Sequence, residues 1–237
     1  MTITSFSYLA FLAVVFTVYY LIRPKWQSGY LLAVSLVFYC LAGEGYTLLY
    51  LLLSTVSVYY AALAIHREEN AGKARWILTG ALLLNFGLLA GLKYYGFILW
   101  NVNAVRGWFG QGAVGGSVHI AASLGISYYT LQLTGYLLDC YWKVGMVQTS
   151  LPKFALFACY FPQMTSGPVS RYKQVQAGLY GEHLFDYGQV THGLKRMAWG
   201  LFKKMVIADR LGLIVDSVYG HYESSHLLLI WAGIFCF

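Results

Sequence analysis

A polar stretch with two prolines, set between apolar segments, is the part of the sequence best suited to chemistry. Residues 161–172, here called the signature segment, read FPQMTSGPVSRY. Proline lacks an amide donor and interrupts helices, so we expect much of this segment to be irregular backbone. At membrane depth such backbone is tolerated only where protein buries it or where it lines a wet cavity. The signature segment therefore predicts a polar cavity inside an apolar protein.

Side chains of the signature segment could contact a polar or anionic substrate. Gln163, Thr165 and Ser166 supply hydrogen bonds. Arg171 supplies a fixed positive charge in a planar fork that matches phosphate. A structural bend, with Arg171 on a lipid phosphate or a carboxylate, is the alternative. The other residues selected in this segment are a further substrate contact, Tyr172, and the structural positions Pro162, Gly167 and Pro168.

Charged residues also occur within a later apolar run, at Lys203, Lys204 and Asp209, and the two lysines are further candidates to line a substrate or donor channel. Ionisable groups inside membranes usually pair or serve a function. We therefore expect Asp209 to pair with Lys203 or Arg210, with snorkelling lysines as the alternative. Asp139 ends an apolar run and is assigned a structural role.

Residues 187–205 carry the clearest helical periodicity, with apolar residues recurring every three or four positions. Lys195, Lys203 and His192 fall on the opposite face. A basic amphipathic helix suits a membrane surface, and packing against a neighbouring helix is the alternative. His192 is the histidine considered for function, as a surface or phosphate contact rather than a catalyst. No cysteine or histidine spacing predicts a metal site.

Composition places the chain in a membrane. It is 59% hydrophobic and 11% charged, against about 25% charged in soluble domains. Its mean hydropathy is +0.58. The net charge of +7 is attributed to basic residues at the ends of spans. Without any motif for nucleic-acid recognition, nucleic acid is not expected as a partner, whereas membrane lipid is.

Five apolar runs approach the length of about 20 residues that a helix needs to cross a bilayer. The basic loops between them place the N-terminus outside a cell membrane that the chain crosses several times. Residues 154–161 are too short to cross, so we expect them to be re-entrant or interfacial. The predicted fold is an all-α, polytopic membrane protein in a single domain, 1–237. The predicted spans are 5–22, 29–42, 46–65, 76–92 with an extension to 100, and 118–138.

Three segments in register resemble the membrane-bound O-acyltransferase family, in its bacterial alginate O-acetyltransferase branch. The signature segment is the first. Residues 124–132, LGISYYTLQ, followed by GYLLD at 135–139, resemble the family's LGISFYTFQ…YLIDVY segment. Residues 199–210, WGLFKKMVIADR, resemble its GLFKKVVIAD segment. The resemblance covers roughly residues 90 to 220.

The resemblance implies an enzyme that transfers an acetyl or other acyl group from a cytoplasmic thioester toward an extracytoplasmic polysaccharide or cell-wall hydroxyl. The donor would be acetyl-coenzyme A or an acyl-carrier thioester, whose phosphates Arg171 could hold, and no bound cofactor is expected. An extracytoplasmic acyltransferase would be the protein partner. The family's catalytic histidine lies in a segment resembling WRRWHISLS, which these 237 residues do not contain. This histidine is expected to activate the acceptor hydroxyl as a general base.

Three alternative functions remain. One is the related export of D-alanine for teichoic acid, which uses a carrier-protein donor. Gln132 and the FPQ…SGP sequence favour the alginate branch instead. A transporter or channel would also place broken helices and polar residues at membrane depth, but no inverted repeat is found. A non-catalytic membrane scaffold is the third alternative.

The last eleven residues, 227–237, form an apolar run without a polar stop. As a helix they extend about 16 Å, roughly half of a bilayer core, and a terminal carboxylate at that depth is costly. We therefore expect the chain to be the N-terminal half of the enzyme, cut inside a span and inactive alone. The gene should continue past Phe237 and encode a histidine after another hydrophobic segment. Sequencing the downstream DNA checks this, and a stop codon directly after Phe237 would contradict it.

Overall fold

The computed structural model describes residues 5–42, 45–112, 125–164, 167–220 and 227–236. Regular structure in these ranges is helical, with no strand, which confirms the all-α part of the predicted fold. The chain forms two compact units. Unit 1 comprises Met1–Tyr20 and Leu184–Phe237, and unit 2 comprises Leu21–His183. The single membrane domain stays a prediction.

Most of the described helices are joined by short connections. A 3-10 turn, Pro24–Trp26, precedes the second helix, and a π-helical stretch, Lys203–Ala208, joins the tenth to the eleventh. They are α1 (Phe6–Leu21), α2 (Gln27–Ala42), α3 (Gly45–Arg67), α4 (Ala71–Lys93), α5 (Tyr95–Trp108), α6 (Ile126–Tyr141), α7 (Leu151–Cys159), α8 (Phe161–Met164), α9 (Tyr172–Tyr180), α10 (Tyr187–Phe202), α11 (Asp209–Gly220) and α12 (Leu227–Cys236).

Two helices, α4 and α10, begin at short polar side chains that cap their first turns. Asn70 precedes α4, and its side-chain oxygen accepts from the amides of Gly72 and Lys73 at 2.9 and 3.3 Å. Asp186 caps α10 in the same way, on two amides of the first turn. Each cap satisfies main-chain donors that have no partner inside the helix.

The first three predicted spans coincide with the helices α1, α2 and α3, with boundaries within two residues. The extension of the fourth span to residue 100 is wrong. Its helix, α4, ends at Lys93, and Tyr94 leaves the helical conformation before α5 begins. Gly91 and Gly96 flank the break, and glycine is a weak helix former. The fifth span is described from residue 125 onward, as α6, and residues 118–124 lie outside the described residues.

Two described helices are long and apolar enough to cross a membrane, Thr47–Arg67 and Ala71–Lys93. The helices α1 and α12 are apolar but shorter. Large apolar side chains are widely exposed, including Phe6 at 86% and Trp76 at 77%. Surfaces of this kind are suited to lipid rather than to water.

The core of unit 2 is built around α3 and α7. The helix α3 packs against α4 and α6, while α7 packs against α2, α3 and α9. Tyr39, Phe154 and Phe157 are almost completely buried there. This arrangement surrounds α7 with helices and leads directly into the signature segment.

Candidate functional site

The signature segment begins at a helix break whose main-chain groups are satisfied by two side chains. In a continuous helix the Phe161 amide would donate to the Phe157 carbonyl, four residues earlier. Tyr160, with ψ of 109°, turns the chain out of the helix. The buried Ser35 Oγ accepts from the Phe161 amide at 3.2 Å. The buried Gln132 Nε2 donates to the Phe157 carbonyl at 2.9 Å.

A close main-chain approach joins the start of α6 to the signature segment. Gly125 has φ of +69°, a conformation that side chains disfavour. A Cβ atom built on Gly125 would lie 2.1 Å from the Met164 carbonyl oxygen. Only glycine fits here, so the first two motifs of the family resemblance contact each other directly.

The signature segment is partly helical, which corrects the expectation that much of it is irregular. Residues Phe161–Met164 form α8, and Pro162 occupies its first turn, where a missing amide is tolerated. Residues 167–171 are irregular, as expected. Thr165 and Ser166, two predicted substrate contacts, lie outside the described residues.

The segment folds back on itself at Gly167. Its amide donates to the Gln163 carbonyl at 3.0 Å, and a Cβ atom on Gly167 would lie 2.6 Å from Gln163 Cα. Gln163 Nε2 donates to Ser170 Oγ at 3.2 Å. Gln163 Oε1 is buried and has no hydrogen-bond donor among the described residues. That oxygen could accept a hydrogen bond from a bound molecule.

Tyr172 closes the signature segment inside an aromatic cluster. It is 5% exposed, and its ring centroid lies 5.1 Å from those of Tyr136 and Phe157. Gln148 Nε2 donates to the Tyr172 hydroxyl at 2.7 Å. The structure thus places this predicted substrate contact in the core, where it anchors the start of α9.

Gln148 is a site residue that sequence patterns did not indicate. Besides its side-chain bond to Tyr172, its main-chain amide donates to the Tyr136 hydroxyl at 2.9 Å, and its Oε1 accepts from the Ser150 main-chain amide at 2.9 Å. Gln27 has a similar role, because its side chain exchanges two hydrogen bonds with the main chain of His183. Glutamine within or beside an apolar run is the signal that could have identified both.

The far end of α9 is held by Tyr180. Burial, together with the neighbouring Tyr172, raises the pKa of the Tyr180 phenol. The phenol therefore keeps its proton, and it donates to the Lys153 carbonyl at 2.7 Å. Both ends of α9 are thus tied to α7 or to the loop before it.

Arg171 lies at the rim of this core. It is exposed immediately before α9, and its side chain makes no helix-capping bond. None of the ion pairs among the described residues includes it. Its neighbour Tyr172 is buried, so the backbone that carries Arg171 is fixed while the guanidinium is accessible to an anion. Pro168, which is also exposed, lies in the same irregular segment, residues 167–171.

The remaining charged candidates lie in unit 1, which is described separately from the signature segment. His192, Lys203, Lys204 and Asp209 are all exposed. His192 lies on α10, the predicted amphipathic helix, whose existence the structure confirms. Lys203 Nζ lies 5.5 Å from the centroid of the Trp199 ring.

Asp209 pairs with Lys204, at 2.6 Å, rather than with the expected Lys203 or Arg210. The cause is the π-helical stretch, in which the Asp209 amide donates to the Lys204 carbonyl five residues earlier. This winding aligns the fifth residue along the chain, whereas an α-helix would align the third or fourth. Asp139, near the end of α6, accepts the Val144 amide on its main-chain oxygen at 3.0 Å.

A groove of about 660 Å³ lies in unit 1, between α1 and α10. Its lining is mainly apolar and includes Leu12, Phe16, Leu194 and Met197. No residue of the signature segment lines it, so it is not the polar cavity that the sequence predicts. Across the described ranges, no three histidine, cysteine or acidic side chains group as metal ligands would.

Comparison with known proteins supports the resemblance that the sequence motifs indicate. The curated proteins that this chain resembles are members of the membrane-bound O-acyltransferase family, and the similarity extends over about 90% of the chain. The resemblance that the three motifs predict, including the alginate O-acetyltransferase branch, is therefore confirmed. No family model matches the chain.

The particular relatives are O-acetyltransferases by name. Peptidoglycan O-acetyltransferase of Helicobacter pylori is 29% identical over 254 residues, covering 94% of this chain and 47% of that protein. The probable alginate O-acetylase AlgI of Pseudomonas aeruginosa is 29% identical over 211 residues, covering 88% of this chain and 40% of that protein. The probable alginate O-acetylase AlgI of Azotobacter vinelandii is 29% identical over 214 residues, covering 88% of this chain and 42% of that protein. The chain thus spans less than half the length of these relatives.

The contact between Gly125 and Met164 predicts a strong effect of one methyl group. Gly125→Ala should lower the free energy of unfolding by about 2 kcal/mol or more, because it combines left-handed strain with a main-chain clash. Thermal unfolding of the purified protein in detergent measures the change.

The matched control is Gly135→Ala on the same helix, where an added Cβ atom meets nothing within 4 Å. This control should be neutral or slightly stabilising, because alanine favours a helix interior. Equal melting temperatures for the two variants would contradict the close approach.

Proposed function

We propose that this chain is part of a multi-pass membrane O-acetyltransferase that acts on an extracytoplasmic polysaccharide or cell-wall hydroxyl. The contact between the first two motifs carries the proposal. Gln132 bonds to the Phe157 carbonyl and Gly125 packs on the Met164 main chain, so motif residues of two separate segments build one fixed bend. The names of the relatives, peptidoglycan O-acetyltransferase and alginate O-acetylase, support the reaction class.

The acyl donor is a cytoplasmic thioester, either acetyl-coenzyme A or an acyl-carrier protein. In the overall reaction the donor's C–S bond breaks, and an ester C–O bond forms to the acceptor hydroxyl. The hydroxyl proton ends on the released thiol. A histidine that acts as general base is expected from the part of the family pattern that these residues do not contain.

Arg171 and Gln163 bind the donor at the rim of the bend. The guanidinium of Arg171 is exposed on a fixed backbone and pairs with a donor phosphate. Gln163 Oε1, buried without a described donor, accepts a hydrogen bond from the amide-rich arm of the thioester. Thr165 and Ser166 are assigned to the same contact on the basis of their position in the motif.

The chain lies in the cell membrane with its N-terminus outside. The two helices that can cross a bilayer, Thr47–Arg67 and Ala71–Lys93, are joined by a loop with charged residues, which favours a cytoplasmic position for that loop. In unit 1, the basic face of α10 with His192, and the neighbouring Lys203 and Lys204, contact anionic lipid headgroups. An extracytoplasmic acyltransferase receives the acyl group.

Transfer of labelled acetyl groups tests the function. Membranes from cells that carry the complete gene should move radiolabelled acetyl groups from acetyl-coenzyme A into polysaccharide or cell wall. Membranes from a deletion strain are the control. Transfer of D-alanine from a carrier protein, with no acetyl transfer, would show that the donor is a D-alanyl carrier protein and not acetyl-coenzyme A. Absence of both would contradict the enzyme assignment.

Arg171→Ala in the full-length protein tests the donor site. We expect affinity for the thioester donor to fall by about 10- to 100-fold, because a charge-assisted hydrogen bond contributes about 1.5–3 kcal/mol. Binding of the non-hydrolysable donor analogue measures the change, and the melting temperature should stay the same.

The matched control is Lys173→Ala, which removes a positive charge from an exposed residue two positions along, in the first turn of α9. It should leave donor affinity within about twofold, because the proposal gives the direct phosphate contact to Arg171 alone and solvent screens the longer-range effect of an exposed charge. Equal losses in the two variants, or unchanged binding in Arg171→Ala, would assign Arg171 a structural role.

A further inference from the structure

A buried polar cluster lies between the two helices that can cross a membrane. Asn85 of α4 is 2% exposed. Its Nδ2 donates to the Ala81 carbonyl at 2.9 Å and to Ser57 Oγ of α3 at 3.3 Å. Ser57 Oγ in turn donates to the Ser54 carbonyl at 2.9 Å. These hydrogen bonds determine the orientation of the Asn85 side-chain amide, because a flipped amide would place its oxygen against the Ala81 carbonyl oxygen.

This orientation leaves one strong acceptor unsatisfied. Asn85 Oδ1 is buried and has no donor among the described residues. A buried polar group without a partner costs about 1–3 kcal/mol, and the hydrocarbon around a membrane helix supplies no water from outside. Such an oxygen is expected to have a partner inside the protein.

Thr134 of α6 presents a second unsatisfied group. Its Oγ1 is buried without a partner among the described residues. Three other helical threonines, Thr17, Thr55 and Thr79, donate to the carbonyl four residues earlier at 2.7–2.9 Å. Thr134 does not make this bond, so its hydroxyl is free to contact another element.

Helix register places these two groups at the same depth. Lys93, the last residue of α4, donates to Ser127 Oγ near the start of α6 at 2.9 Å, and the two helices pack together, so they are antiparallel. Thr134 follows Ser127 by two turns on the same face, about 10.5 Å along the axis. Asn85 precedes Lys93 by about 12 Å of helix.

We propose that a water molecule is bound between α4 and α6. It donates one hydrogen bond to Asn85 Oδ1 and forms a second hydrogen bond with Thr134 Oγ1. A water with two donors and two acceptors satisfies both groups, and buried waters typically make about three such bonds. This water joins α3, α4 and α6 at mid-depth. The site is independent of the proposed acyl transfer.

Thr134→Val in the full-length protein tests the site, since valine keeps the shape and removes the hydroxyl. We expect the melting temperature in detergent to fall by about 2–4 °C. A hydroxyl without any partner would give the opposite result, because its removal relieves a buried polar group. Thr134→Ser, which keeps the hydroxyl, should lower the melting temperature less than Thr134→Val does. The matched control is Thr79→Val, whose hydroxyl bonds within its own helix.

A second measurement separates water from a direct contact. Asn85→Leu and Thr134→Val should be coupled, so that the second substitution costs less than it does alone. A near-atomic-resolution map of the protein in lipid nanodiscs should show a density peak about 2.7–3.2 Å from both atoms. A direct Asn85–Thr134 hydrogen bond without that peak, or a raised or unchanged melting temperature in Thr134→Val, would overturn the proposal.

Discussion

Hydrogen bonding of main-chain groups at a helix break is the constraint on which unit 2 depends. Surroundings made of apolar helices offer no solvent to an open amide or carbonyl. The Phe157 carbonyl and the Phe161 amide would bond to each other in an unbroken helix, and here Gln132 and Ser35 replace that bond. Gln148 serves the loop before α7 in the same manner. Because these partners come from α2, α6 and a loop, the break also fixes how those elements pack.

Close packing then limits the movement of the signature segment. Gly125 lets the Met164 carbonyl approach closely, and Gly167 does the same for the Gln163 main chain, so the C-terminal end of α8 lies against other backbone without an intervening side chain. Tyr172 is buried against Tyr136 and holds the end of the segment. The backbone that carries Arg171 is therefore held in place, although the guanidinium itself is exposed.

Unit 1 has a different physical character. Its charged residues are exposed, and its ion pair between Lys204 and Asp209 is formed along one helical stretch. Exposed pairs of this kind contribute little to stability, so the pair is better suited to orienting side chains than to holding the unit together. The third motif of the family resemblance lies here, in the same unit as the apolar groove between α1 and α10.

The sequence alone determined the helices, the apolar character and the family resemblance. Run length and periodicity are local properties, so α1, α2, α3 and α10 were predicted with close boundaries. Local patterns failed where winding or contact changes the outcome: at Tyr94, where a helix ends, and at Asp209, where a π-helical turn selects Lys204. Only tertiary structure decided the partners of the break, since Gln132 and Ser35 lie 25 and 126 residues away from the groups they satisfy. Hydrogen bonds over such separations follow from packing, which no local pattern encodes.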